Sequence, residues 1–190
     1  MIYEGSKLSN FHGTVNTYDK SAQAYEDGGF DGASLHVARF AETLPPGACV
    51  LEVGCGLGTD AAELARANFI VTATDLSTGM TEHAKRRYPG LGIDFRGGVS
   101  MTDLSEFPDA SFGAVIANFS LIHVPQRDTP LCLAEFARVL QPGGMLFWDY
   151  KKASHKKAYS PHLSIKARQS FYIYFHQMRS TKHSTVRGSY

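Results

Sequence analysis

Three glycines at alternate positions, Gly54, Gly56 and Gly58, follow the apolar run "VLEV" and precede the run "TDAAELARA". Glycines placed this way let a backbone come close to a ligand, or simply join a strand to a helix. The dinucleotide fingerprint spaces its glycines G-x-G-x-x-G, whereas here the third arrives one residue early. Asp60 and Glu63 fall in the first turn of the helix that follows. A helix N-terminus attracts pyrophosphate, but two carboxylates there repel it and leave room for ammonium or sulfonium charge. Asp75 ends a second apolar run, 21 residues after Gly54. A carboxylate there can accept both hydroxyls of a ribose diol, or cap the next helix in competition with Ser77. Ribose binding is the preferred reading, so the expected ligand is a nucleoside without phosphates.

These residues need elements to hold them. The chain has 190 residues, 43% hydrophobic and 19% charged, the size and balance of one soluble globular domain with a substantial core. From residue 48 to 150 strand and helix alternate. "ACVLEV", "FIVTATD", "GIDFRGG", "SFGAVIANFS" and "MLFWDYK" read as strands, and "TDAAELARA", "TGMTEHAKRRY" and "RDTPLCLAEFARVL" as helices. That pattern predicts an α/β fold, a Rossmann-like, doubly wound, mostly parallel sheet in three α/β/α layers, with ligands beyond the carboxyl ends of the strands. Residues 1–47 read as N-terminal helices capping the site, 48–150 as the core, and 151–190 as an atypical basic segment. No apolar run reaches the roughly 20 residues of a membrane span. The start "MIYEGSKLSNFHG" shows no secretory signal. Cys49, Cys55 and Cys132 lack metal-ligand spacing, which suggests reduced thiols, a cytoplasmic location and no metal.

Four stretches, "VLEVGCGLGTDAAELA", "VTATDLSTGM", "SMTDLSEFPDASFGAVIANFSLIHVP" and "EFARVLQPGGMLFWDY", resemble successive motifs of the class I S-adenosylmethionine-dependent methyltransferases. Order and spacing match over residues 48–150, and the set is specific although no single motif is. "YDKSAQAY" resembles the N-terminal helix of members that act on small molecules. The resemblance implies that Glu52, Gly54, Cys55 and Gly56 line the methionine part of S-adenosylmethionine, largely through backbone groups. It implies that Asp75 holds the ribose hydroxyls and that Leu76 and Met80 flank the adenine, Met80 being equally readable as core. Met101 and Thr102 stand where many members carry an acid facing the adenine amine, so backbone groups or Asp103 must serve. Asn118 and Phe119 end the fourth strand beneath the reacting centre.

The reaction implied is in-line displacement of the methyl group, in which the protein mainly aligns the nucleophile and excludes water. If the acceptor must lose a proton, His123 is the candidate base, because imidazole titrates near neutrality; its alternative is a packing role in the loop. Tyr18 and Tyr25 could close over cofactor or substrate, or pack their helix. "NFSL" lacks the two prolines of enzymes that methylate base or amide nitrogens, so a small-molecule acceptor is the leading expectation. The chain up to residue 149 holds all 18 acids and a net charge of −8, while residues 150–190 carry +9. The final stretch reads as a strand running into a helix, with the last two antiparallel strands of the family missing and the fifth strand left as an open edge. A truncated C-terminus is preferred over a basic surface for nucleic acid. The competing functions are a non-catalytic cofactor-binding protein, an RNA methyltransferase using the tail, and a nicotinamide-dependent oxidoreductase. Oligomeric state is open.

Overall fold

The structure, a computed structural model, describes residues 17–19, 21, 24–25, 27–28, 33–150, 171–177 and 184–188. Seven strands form one sheet: β1 (Cys49–Val53), β2 (Ile70–Asp75), β3 (Asp94–Gly97), β4 (Phe112–Asn118), β5 (Leu140–Tyr150), β6 (Phe171–Gln177) and β7 (Ser184–Gly188). Their order is β3-β2-β1-β4-β5-β6-β7. All neighbours are parallel except β6 and β7, which run antiparallel. The helices are α1 (Leu35–Ala41), α2 (Thr59–Arg66), α3 (Thr78–Arg87) and α4 (Thr129–Val139), with a single 3₁₀ turn at Leu121–His123. None of the described helices is long and apolar enough to cross a membrane.

The alternation of side chains along each strand builds two cores from one sheet. On one face Leu51, Val53, Val115, Ala117 and Leu146 meet Cys132, Leu133, Phe136 and Val139 of α4. On the other face Val50, Ala114, Ile116 and Phe147 meet Val37 and Phe40 of α1, and Ala61 and Leu64 of α2. Both faces being covered explains why the central strands read as continuous apolar runs. Each such buried side chain contributes about 1.5–3 kcal/mol. The sheet centre therefore sets stability, and the loops at the carboxyl ends are left to form a site. After β3 the chain returns to pair β4 with β1, so the strand order reverses between β1 and β4, where such sheets bind ligands.

Two expectations are corrected. The sheet does not stop at β5: β6 pairs with it in parallel from Met145↔Tyr172 to Tyr150↔Gln177, and β7 closes the edge. β5 is thus not an open edge, although β6 runs parallel to it and only β7 is antiparallel. The stretch expected to be helical contains β7, whose β-branched residues suit a sheet edge. Further, β5 begins at Leu140, not after the glycines. Phe112 pairs with Leu140 and Ala114 with Met145, so Gln141–Gly144 bulge from the ladder, helped by Gly143 at φ +76°. The basic character expected of residues 151–170 and 178–183 lies outside the described residues.

Among the described residues, Asp19 and Ser34 of the N-terminal part are hydrogen-bonded to the core. Asp19 accepts hydrogen bonds from the Ser77 hydroxyl and the Gly79 amide at the start of α3. The Ser34 amide donates to Asp60 Oδ1 at 2.6 Å, while its hydroxyl caps α1.

Candidate functional site

Beyond the carboxyl ends of β1, β2 and β4 lies a cavity of about 560 Å³. Its floor is the glycine loop. The amides of Gly54 and Cys55 both donate to the Thr74 carbonyl, at 2.7 and 2.9 Å. The Gly56 amide donates to Asp75 Oδ2 at 2.8 Å, and the Gly58 amide to the Cys55 carbonyl at 2.9 Å. Four donors of the loop are therefore turned into the protein. A phosphate site needs the reverse, amides pointing at the ligand.

Asp75 ends β2 and lines the cavity. Its Oδ1 also accepts from the Ser77 amide at 2.8 Å, which leaves each oxygen one further acceptor position. Burial raises its pKa, against the lowering effect of those two amide bonds. Ser77, not Asp75, caps α3 through Met80 N at 3.1 Å. Asp60 is buried beside it on α2 and accepts from Asn118 Nδ2 at 2.7 Å as well as from Ser34; burial raises its pKa too. Glu63, paired with Asp60 in the sequence reading, lies instead on the outer face in an ion pair with Arg66 at 2.7 Å.

Glu52 does not line the cavity. It shares the α2 side of β1 and is only 3% exposed. Burial, then the charges of Asp60 and Asp75, push its pKa well above the usual carboxylate range, while a hydrogen bond from the Ala61 amide opposes them. Its Oε2 is buried without a partner, as are Asn118 Oδ1 and Ser120 Oγ. Three acceptors left unsatisfied at one end of a sheet are costly, and they mark the place where a ligand's donors would be welcome.

The cavity runs in two directions from Asp75. Toward β2 and β3 it is walled by Leu76, Met80, Val99, Ser100, Met101 and Thr102. Met80 is both wall and core, buried against Leu57 and Tyr18. Ser100 and Thr102 hydroxyls bond each other at 2.8 Å. Asp103 takes no part: it is exposed and accepts from the Ser105 amide at 3.2 Å, which with the Ser105 hydroxyl lowers its pKa. Toward β4 the wall is Asn118, Phe119, Ser120 and His123. Phe119 has φ +51°, a strained conformation for a residue with a side chain and one that collects at functional sites.

His123 stands at the rim. Its Nε2 is 3.2 Å from the Tyr18 hydroxyl, with the rings edge to face at 5.4 Å, and Tyr25 packs on Tyr18 at 5.5 Å. Burial lowers the His123 pKa, and the nearby Asp75 opposes this. Burial, then Tyr25 and Asp75, push the Tyr18 phenol up to about 12. At neutral pH the pair is thus a protonated phenol against a neutral imidazole. Cys55 lines the cavity as a buried thiol whose pKa is raised, chiefly by burial, which makes it inert.

Of the residues expected at the site, Glu52, Gly58, Glu63 and Asp103 do not line this cavity, and the others do. Ser34, Leu35, His36 and Ser120 also line it and went unforeseen. Ser34 carried a signal, a serine before the apolar run of α1, the mark of a helix cap. Nothing local announced that its amide would bind Asp60.

Residues 50–144 match a family described as a methyltransferase domain. An uncharacterized methyltransferase of Mycobacterium tuberculosis (strain ATCC 25618 / H37Rv) is 35% identical over 116 residues, 60% of this chain and 57% of that protein. The ubiquinone biosynthesis O-methyltransferase of Xanthomonas axonopodis pv. citri is 33% identical over 152 residues, 75% of this chain and 62% of that one. The chain thus spans somewhat over half the length of such relatives. Among solved structures, the [4+2]-cyclase SpnF superposes with a TM-score of 0.61 at 24% identity, over 70% of this chain and 57% of that one. A methyltransferase solved with the Haloferax volcanii Trm112 activator gives 0.58 at 21% identity, over 83% and 59%. At these identities the two structures speak for the fold.

Proposed function

The chain belongs to the methyltransferase-domain family of class I S-adenosylmethionine-dependent enzymes, and from that premise we propose that it methylates a small-molecule acceptor. The observation that carries the cofactor half of this reading is the inward turn of the loop amides at Gly54, Cys55, Gly56 and Gly58. It takes these four amides away from a pyrophosphate and disfavours a nicotinamide dinucleotide. The residues present fit the sulfonium nucleoside. Unpartnered acceptors on the cavity wall at Asn118 and Ser120 suit an ammonium group, and no atom lies within 4 Å of where a Cβ on Gly56 would stand.

S-adenosylmethionine, when bound, supplies a methyl group on a positively charged sulfur, already activated for displacement. Asp75 accepts the ribose hydroxyls with its free lone pairs. Leu76 and Met80 flank the base, with Met101 and Thr102 at its edge. Gly54, Cys55 and Gly56 form the floor under the methionine part, and Glu52 acts on it from behind the loop. Asn118, oriented by Asp60, and Phe119 shape the reacting end. Tyr18 and Tyr25 cover the acceptor and exclude water. His123 takes the acceptor's proton at Nε2. Alignment of this kind can supply several kcal/mol of barrier reduction. The cysteines, free in the structure, support a reducing compartment, the cytoplasm, as the place of work.

Calorimetric titration with S-adenosylmethionine, S-adenosylhomocysteine and NAD tests the cofactor. Binding of NAD without either sulfur nucleoside would overturn the proposal. Labelled methyl transfer to a metabolite panel tests the reaction, and binding without transfer across a broad panel would favour the non-catalytic alternative.

A further inference from the structure

The β4 side of the cavity is lined by Tyr18, Tyr25, Leu35, Phe119, His123 and Val124. Two large apolar residues of this lining face water: Tyr25 is 36% exposed and Leu35 61%. Exposed apolar rims of this kind mark sites for apolar partners. Among the described residues that line the cavity there is no lysine or arginine, whereas Asp60 and Asp75 both face it. Burial already raises the pKa of both acids, so this wall tolerates negative charge poorly. A carboxylate or phosphate would leave water to meet two acids and no cation. A hydroxyl finds a better reception. In the tautomer protonated at Nδ1, His123 Nε2 accepts the Tyr18 hydroxyl at 3.2 Å. Tyr18 is a phenol standing where an acceptor's hydroxyl would have to stand to give up its proton.

We infer that the methyl acceptor carries no negative charge, is largely apolar and bears a phenol-type or enol hydroxyl, and that phosphorylated and carboxylated acceptors are refused. This rests on the methyltransferase reading above. The acceptor oxygen forms the new O–CH₃ bond as the methyl–sulfur bond breaks, the electron pair leaves with sulfur, and the hydroxyl proton passes to His123 Nε2. No further co-reactant is needed.

The test uses one ring carrying three charges. Protein saturated with S-adenosylhomocysteine is titrated at pH 7 with 1-naphthol, 1-naphthoate and 1-naphthylmethylammonium. The expected result is a Kd for naphthol at least tenfold below that of naphthoate, with the ammonium ring bound better than naphthoate. Equal or tighter binding of naphthoate than of naphthol, weaker binding of the ammonium than of naphthoate, or no binding of naphthol overturns the inference. Leu35→Lys places a cation on the apolar rim at an exposed position and should bring naphthoate to within threefold of naphthol; an unchanged preference also overturns it. Failure of S-adenosylhomocysteine to bind at the outset would instead sink the methyltransferase reading itself.

Discussion

Gly56 and Gly58 sit two residues apart in one loop, both with positive φ, at +52° and +71°, yet they should fail in different ways. An alanine at either position is held in the left-handed region at a cost of roughly 1–2 kcal/mol. At Gly56 the new methyl meets nothing within 4 Å, so strain is the whole stability cost. It is partly offset by the stiffer unfolded chain, roughly 0.4–1 kcal/mol at a position that tolerates the change. The melting temperature should fall by about 2–4 °C, the usual response of a domain this size to about 1 kcal/mol. Because Gly56 lines the cavity, the methyl stands in ligand space, and S-adenosylhomocysteine binding should weaken more than about tenfold, or 1.4 kcal/mol. At Gly58 a Cβ would lie 2.7 Å from Phe95 Cε1 and 3.0 Å from Ala84 Cβ. Overpacking adds roughly 1–3 kcal/mol, so Gly58→Ala should lose two to four times as much in melting temperature. Being outside the cavity, it should keep its affinity within about threefold when assayed well below its melting point. Circular dichroism melts and calorimetric titration of both variants decide the matter. Wild-type affinity in Gly56→Ala, or an equal loss in folded Gly58→Ala, would refute the assignment of this loop as the cofactor floor.

Asp75→Asn puts an amide donor against either the Gly56 or the Ser77 amide and against one ribose hydroxyl; cofactor affinity should drop roughly 10–100-fold, in line with about 1.5–3 kcal/mol for hydrogen bonds to a charged group, read by calorimetry. His123→Gln should leave S-adenosylhomocysteine binding intact and lower kcat by about 10²–10⁴. In the wild type the lowered His123 pKa keeps the base neutral at pH 7, so kcat/KM should hold from pH 8 to about 6.5 and fall only below that; a pH-independent rate in both proteins would remove His123 from the chemistry. Glu52 has a folded pKa raised above its unfolded value, so the folded state binds the extra proton and stability declines as pH rises above about 4.3 toward the folded value. Glu52→Gln should therefore melt higher than wild type at pH 8, with the gap closing toward pH 4.5; parallel melting curves would show that the carboxyl carries no such burden.

The central sheet was legible because β1, β2, β4 and β5 must be apolar on both faces, and such runs survive any detail of packing. The place of Asp75 at the end of β2 and on the cavity wall was legible from the end of the apolar run it closes. What misled was local. Gln141–Gly144 carry the marks of a helix stop, and they do stop α4, but the strand starts before them and the glycines become a bulge, which depends on the spacing of β4 opposite. The strand at 171–177 was legible, but β7 was hidden because residues 178–188 mix basic and hydroxyl side chains with no apolar period, and only pairing with β6 fixes its state. Asp103 looked able to reach the base from its position in the chain. The turn that begins at Ser100 directs it to Ser105 instead, a geometry no spacing rule contains.

The acids of the site join its stability to its specificity. Glu52, Asp60 and Asp75 gather under one cavity, each with a pKa raised chiefly by burial. With no lysine or arginine among the described residues that line the cavity, this arrangement works against the free protein. A ligand with ammonium and sulfonium charge relieves it, so part of the binding energy is the removal of a burden the fold already carries. Such a ligand at 100 times its Kd stabilises the fold by about 2.7 kcal/mol. The thioether product, one positive charge poorer, relieves less. On the proposed reading the same acids would favour substrate over product at the sulfur and keep anionic acceptors from the mouth, with the apolar lining at Tyr25 and Leu35 selecting among the acceptors that remain.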